Sequence, residues 1–195
     1  ASDVLPWQCL TRYPKECQGA KFIDIDFPDL MAKKCAIVET TAELHAGLTD
    51  WGRSEQPDLF LRSQEYVQIG CDLRELARIQ EALARVVDIA TSEFIFVAEV
   101  SITYMETKGA DAVIQWAAGL GQGQSVYPST ASVSRLTNNA PAAEFCLLEQ
   151  VLPDGPDHPF AETMLRHFDK LKTPLKSVHA YPDLNAQRSR FMRLG

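Results

Sequence analysis

Apolar positions along the chain come in short runs and in longer stretches of helical spacing, and the two alternate. Lys21-Phe22-Ile23-Asp24-Ile25-Asp26-Phe27 alternates apolar and polar residues and stops at Pro28, which predicts a strand ending in acid. A helix is predicted over 29–44. Tyr66-Val67-Gln68-Ile69-Gly70-Cys71 predicts a second strand, closed by Asp72. Over 73–87, Leu73, Leu76, Ile79, Leu83 and Val86 keep helical spacing. Phe94-Ile95-Phe96-Val97-Ala98 is a continuous apolar run, suited to a strand covered on both faces. Thr107 is placed to cap a helix running through Ala118. Glu144-Phe145-Cys146-Leu147-Leu148-Glu149 predicts a fourth strand. Helices are predicted over 159–171, with Pro159 in the first turn, and over about 183–194.

Strand and helix alternate four times. Crossover helices favour a parallel, doubly wound α/β sheet, with the first three strands parallel and all four in one sheet. Ligands of such sheets bind outside the carboxyl ends of the strands. Three of the four strands end in acid: Asp24 and Asp26, then Asp72, then Glu99. Acids at strand ends also cap helices, but three on one sheet edge would converge on one crevice. The stretch 119–143 breaks the pattern, being rich in Gly, Ser, Thr, Asn and Pro. The segment 121–142 is expected to be a disordered insert in an otherwise single partial domain spanning 1–195. It is either a true loop or translated intron sequence.

Composition narrows the classes. The 195 residues suit one domain of ordinary size, and 46% of them are apolar, enough for a core. The net charge of -7 argues against a surface for broad, sequence-independent nucleic-acid binding, while leaving room for a local basic pocket for one nucleotide. The five cysteines contain no CxxC pair, and Cys71 and Cys146 sit in apolar runs as buried free thiols do. A reduced, cytoplasmic compartment is expected, with no zinc site. No apolar run approaches the roughly 18 residues needed to span a membrane. The chain opens on Ala1-Ser2-Asp3, without Met and without a visible signal peptide.

A nucleoside cofactor fits the acids. Ribose hydroxyls are donors that a strand-end carboxylate such as Asp26 can accept. Adenine offers an amino donor and a ring-nitrogen acceptor, which Asp72 and the Leu73 backbone N–H could meet. Glu99 is placed to meet a cationic amino group. The four histidines, His45, His158, His167 and His179, have no ligand spacing, and no metal is expected. His158 with Pro159 reads as a helix start. Glu149-Gln150 ends a strand near the same edge and either lines the pocket or is structural. Lys33-Lys34 reads as a solvated helix face.

Several motifs then resemble those of the leucine carboxyl methyltransferase family. Asp3 with Leu5-Pro6-Trp7 resembles the tail of that family's glycine-rich cofactor turn. Phe22-Ile23-Asp24-Ile25-Asp26-Phe27-Pro28 resembles its acidic strand, with Lys33 at its usual place. Gly70-Cys71-Asp72-Leu73-Arg74 is similar to its adenine-side motif, and Ala98-Glu99 with Tyr104-Met105 to the motif after its fourth strand. Near the end, Leu152-Pro153-Asp154-Gly155-Pro156-Asp157-His158-Pro159-Phe160 and Pro174-Leu175-Lys176-Ser177-Val178 resemble the fungal tRNA wybutosine-synthesizing branch.

The resemblance implies a Rossmann-like, class I S-adenosylmethionine-dependent methyltransferase fold, N-terminally truncated here. It implies cofactor contacts at Asp3, Asp26, Asp72, Leu73 and Glu99. It places Tyr104 at the substrate carboxylate, where the plain alternative is an aromatic capping the core beside Met105. It implies a modified guanosine of tRNA as the partner, esterified on a carboxyl and methoxycarbonylated on the neighbouring amine. The family's upstream helices, first strand, cofactor-turn glycines and substrate-side arginine do not occur in the 195 residues, nor does the branch's kelch-type propeller. Two other readings stay open: the branch that methylates the C-terminal leucine carboxylate of a protein phosphatase, and a non-catalytic methyltransferase-like binding module.

Overall fold

In the computed structural model of the chain, residues 3–121 and 143–195 are described. The expected insert, 121–142, lies outside them apart from Gly121, the last residue of a helix. The chain forms two compact units, Ala1–Asp88 and Ile89–Gly195.

The first unit runs α1 (Leu5–Arg12), β1 (Phe22–Asp26), α2 (Pro28–Thr40), α3 (Ala42–His45), β2 (Gly52–Arg53), β3 (Leu59–Arg62), β4 (Tyr66–Gly70) and α4 (Leu76–Ala84). Its sheet has the order β1-β4-β3-β2. β1 and β4 are parallel, with Asp24 beside Gln68 and Asp26 beside Gly70. β2, β3 and β4 are antiparallel neighbours. β4 lies between two strands and is buried at every residue. Pro28 opens α2, where its missing N–H needs no partner. Met31, Cys35 and Val38 of α2 are wholly buried, at the spacing of one helix face. Cys35 and Val38 pack with Trp7, Leu48, Leu61 and Tyr66 into one core.

The second unit runs β5 (Phe94–Glu99), a 3-10 turn (Ile102–Tyr104), α5 (Thr107–Gly121), β6 (Ala143–Leu148), α6 (Pro159–Lys170), a 3-10 turn (Ser177–His179) and α7 (Leu184–Leu194). β5 and β6 are parallel, with Glu99 beside Leu148. One face of the pair builds an aromatic core. Phe96 meets Trp116 of α5 edge-on at 5.6 Å and Phe145 at 6.0 Å, and Phe145 meets Phe191 of α7 at 5.3 Å. Asp183 caps α7 by accepting from the Ala186 N–H at 2.8 Å.

The mixed α/β class and the parallel pairing agree with the sequence reading. Other expectations need correction. Among the described residues the strands form two sheets where one is expected, and β1 and β5 each stand at an edge of their own sheet. β5 is not covered on both faces: Ile95 and Val97 are 69% and 57% exposed. Cys146, on the same face of β6, is exposed for the same reason. The helix expected from Leu73 begins at Leu76 because Asp72 folds residues 72–75 into a turn, its carboxylate accepting from the Arg74 N–H and its carbonyl from Glu75. Thr107 is the first residue of α5 rather than its cap. The β2–β3 hairpin and α1 carry no counterpart in the sequence reading. Among the described residues no helix is long and apolar enough to cross a membrane.

Candidate functional site

The acidic end of β1 divides into two roles. Asp24 and Asp26 are two apart on a strand, so they share a face of the sheet. Asp24 is turned into the protein. Its Oδ2 accepts from Lys34 Nζ of α2 and from the Tyr66 hydroxyl of β4, each at 2.5 Å. Burial, with the Asp24 charge next to it, pushes the Tyr66 hydroxyl far above the ordinary tyrosine value, so it stays a donor. Gln68 Nε2 donates to the Tyr66 oxygen at 3.2 Å. Asp24 is therefore a structural acid, not a ligand acid as its place at the strand end suggested. Lys34 is 8% exposed and belongs to the same cluster, which corrects its reading as a solvated residue; Lys33 beside it is exposed.

Asp26 stays at the carboxyl end of β1. Its Oδ1 accepts from the Phe27 N–H at 2.8 Å. Its carbonyl accepts from the Cys71 N–H at 2.8 Å, which ties the ends of β1 and β4 together and brings Asp26 into the neighbourhood of Asp72. Gly70 is required at this junction. A Cβ there would lie 2.2 Å from Phe60 Cε2 and 3.0 Å from the Pro28 Cα.

Asp72 is engaged locally. Arg74 donates to it through its backbone N–H at 2.9 Å and through both its Nε and Nη2. These bonds hold its carboxyl below the usual carboxylate range. The next residue, Leu73, has a backbone N–H that meets no acceptor among the described residues. Asp3 precedes α1. Its Oδ1 accepts from the Leu5 N–H at 3.0 Å, and its carbonyl accepts from Lys34 Nζ at 2.9 Å.

The second unit contributes its own acidic edge. Glu99 is exposed at the carboxyl end of β5. Val100 follows with a φ of 47°, a left-handed conformation that a β-branched residue rarely adopts. Such strain concentrates at functional sites. It carries the chain straight from Glu99 into the 3-10 turn ending at Tyr104. The Tyr104 ring packs against the cluster of Leu152, Ala161, Leu175 and Val178 and lies 6.2 Å from the Phe168 ring. Its hydroxyl has no partner among the described residues. Its ring thus does what the plain alternative required, while its hydroxyl remains available.

Glu149, just past β6, has one oxygen held by Gln187 Nε2 at 3.1 Å, while its Oε1 is buried without a partner. Burial holds its carboxyl above the usual range. Gln150 Oε1 and Arg190 Nη2 are also buried and unpartnered. Arg190, 1% exposed, pairs with Asp111 at 2.8 Å. Sequence reading gave no role to Arg190 or Asp111. Seventy-nine residues separate them, and no local pattern connects them.

S-adenosylmethionine needs an acceptor for its ribose, a donor to its adenine ring and an anion for its ammonium. Asp26, the free Leu73 N–H and exposed Glu99 match these needs in kind. Asp72 matches less simply, because Arg74 already takes most of its lone pairs. Of the two, the Leu73 N–H is the group left without an acceptor among the described residues.

The profile of the leucine carboxyl methyltransferase family matches residues 8–118. The chain is 50% identical to tRNA wybutosine-synthesizing protein 4 of Gibberella zeae over 197 residues, covering 100% of this chain and 17% of that protein. It is 40% identical to the protein of the same name from Neurospora crassa, covering 100% of this chain and 20% of the relative. The human protein of that name is 34% identical, over 88% of this chain and 22% of its own length. The chain thus spans about a fifth of the length of these relatives. On the match of more than half its residues, from α1 into α5, the chain belongs to the leucine carboxyl methyltransferase family.

Proposed function

We propose that the protein containing this chain is an S-adenosylmethionine-dependent carboxyl methyltransferase of tRNA wybutosine synthesis. Its reaction would be methyl esterification of a carboxylate on a modified guanosine of tRNA, with methoxycarbonylation of the neighbouring amine, in which the amine first takes up carbon dioxide as a carbamate with loss of a proton and the carbamate oxygen then accepts a second methyl group. The observation that carries this reading is the alignment of the whole chain, at 50% identity, with a tRNA wybutosine-synthesizing protein 4. The finer fold reading, a doubly wound class I sheet, is supported by the parallel pairs β1–β4 and β5–β6. A cytoplasmic location is part of the same proposal, supported by five free cysteines.

The chemistry asks little of the protein. S-adenosylmethionine, when bound, supplies an electrophilic methyl group. A substrate carboxylate is already ionised near neutral pH and needs no general base. The residues bind and orient. In the first unit, Asp26 accepts from ribose hydroxyls, the Leu73 N–H donates to the adenine ring, and Asp3 completes the cofactor turn. In the second unit, Glu99 pairs with the ammonium, and the Tyr104 hydroxyl donates to the carboxylate so that one oxygen faces the methyl carbon. Proximity and exclusion of water supply most of the acceleration.

The test is methyl transfer by the full-length protein, with labelled cofactor, to wybutosine-precursor tRNA and in parallel to a phosphatase catalytic subunit. Label in tRNA alone is the expected result. Label in the phosphatase alone would transfer the protein to the other branch. Label in neither, with cofactor bound, would leave the binding-module reading.

A further inference from the structure

The cluster around Lys34 is built in a way that its stabilising role alone does not explain. Lys34 is buried, and a buried ammonium needs compensation. Asp24 supplies it at 2.5 Å, on one side of the ammonium. The Trp7 and Tyr66 rings lie 5.4 and 5.9 Å from Nζ and add cation–π attraction. Trp7 is itself fixed, its Nε1 donating to the Leu44 carbonyl at 2.5 Å. A second of the ammonium's three donors goes to the backbone carbonyl of Asp3, thirty-one residues upstream, at 2.9 Å. Asp3 is exposed, and among the described residues its carboxylate is bound only by the Leu5 N–H, through Oδ1. The backbone of Asp3 is therefore held from inside the fold while its side chain is left facing out.

We propose that Lys34 is a positioning residue for cofactor binding: its ammonium, set by Asp24 and Tyr66, clamps the Asp3 carbonyl and so orients the Asp3 carboxylate toward the S-adenosylmethionine site. The proposal rests on the reading of Asp3 as a cofactor contact. It gives Asp24 a purpose too. Of the two acids on the face of β1, one binds ligand and the other holds the lysine that places a second ligand acid. Tyr66, as a permanent donor, keeps Asp24 from swinging away.

The experiment compares Lys34→Met, Asp24→Asn/Lys34→Met and Asp3→Ala in the full-length protein. Cofactor affinity is read by isothermal titration with S-adenosylmethionine, and folding by thermal melting. Lys34→Met keeps the apolar stem and removes the charge. It should weaken cofactor binding by roughly ten-fold, the size of one lost charge-assisted hydrogen bond. Its KM for the cofactor should rise more than its kcat falls. Lys34→Met also leaves Asp24 buried without its partner, so melting should drop. The double variant removes that stranded charge and should recover stability without recovering affinity. Recovery of both together would overturn the proposal, since the cluster would then be structural only. So would a folded Lys34→Met protein that binds cofactor within two-fold of the wild type. In that case Asp3→Ala locates the fault: if it too binds normally, Asp3 is not a cofactor contact; if it binds weakly, Asp3 is a contact but Lys34 does not place it. Exchange of the Leu5 amide, without cofactor, should speed up in both lysine variants, and unchanged exchange would overturn the clamp.

Discussion

The two sheets of this chain solve the same problem differently. In the first unit, β4 runs between a parallel and an antiparallel neighbour and is buried throughout. In the second, among the described residues β5 and β6 pair only with each other, and alternate residues of one face are open. The polar groups follow suit. The first unit closes its buried charges into a circuit of Asp24, Lys34 and Tyr66. Of six buried side-chain atoms without a partner among the described residues, five lie in the second unit, on Thr103, Glu149, Gln150, Ser177 and Arg190. The first unit pairs its buried charges within itself. The second holds its polar residues buried before their hydrogen bonds are complete, which makes it the more sensitive to loss of any pairing it does have.

The largest effect should come from that pairing. Arg190→Ala takes the buried partner from Asp111, leaving it the Tyr181 hydroxyl at 3.0 Å and the exposed Arg193 at 3.3 Å, and also removes a wholly buried side chain; it should destabilise the second unit by about 3–5 kcal/mol, measured by urea denaturation. A loss under about 1 kcal/mol would mean that the open polar groups already share the charge. The two sheets can then be compared directly. Ile69→Ala in β4, where the side chain is wholly buried, should cost about 2–5 kcal/mol. Ile95→Ala in β5, 69% exposed, should change stability by no more than about 0.5 kcal/mol. Equal losses would erase the contrast.

Smaller effects sharpen the functional side. Tyr104→Phe keeps the ring in its core cluster and removes only the hydroxyl. Turnover on the carboxylate substrate should fall by roughly ten-fold, with cofactor affinity and melting temperature unchanged. A fall in melting temperature without a change in turnover would return Tyr104 to the core. The smallest effect concerns Glu149. Burial raises its folded-state pKa above the unfolded value, so the native state holds its proton more tightly. Its penalty is absent below the unfolded pKa and grows as pH rises toward the folded one. Glu149→Gln should therefore match the wild type in acid and be the more stable near neutral pH, by melting across that range. The opposite order would show that the carboxylate is better satisfied than its geometry indicates.

The sequence made the parallel strands legible because their signal is local. Alternation in 21–27 and the apolar run at 94–98 fall within a residue or two of β1 and β5. The strand-end acids were visible on the same ground. What was hidden depends on distance along the chain. Nothing near Lys34 distinguishes it from exposed Lys33 until Asp24, Tyr66 and the Asp3 carbonyl are brought around it. The difference between Asp24, held by Lys34 and Tyr66, and Asp26 at the strand end is equally invisible, since alternation puts both on one face. The β2–β3 hairpin was missed because β2 is two residues long, too short for any period. The exposed face of β5 was misread because an unbroken apolar run records what can be buried and not whether anything covers it.

In the proposed site, the acidic end of β1 binds S-adenosylmethionine through Asp26. Isothermal titration of the full-length Asp26→Ala protein with the cofactor tests it most directly, with far-ultraviolet circular dichroism as the check on folding. Removing a carboxylate that accepts from ribose hydroxyls should weaken binding by roughly ten- to a hundred-fold. A folded Asp26→Ala protein that binds the cofactor as tightly as the wild type would rule out Asp26 as the ribose contact.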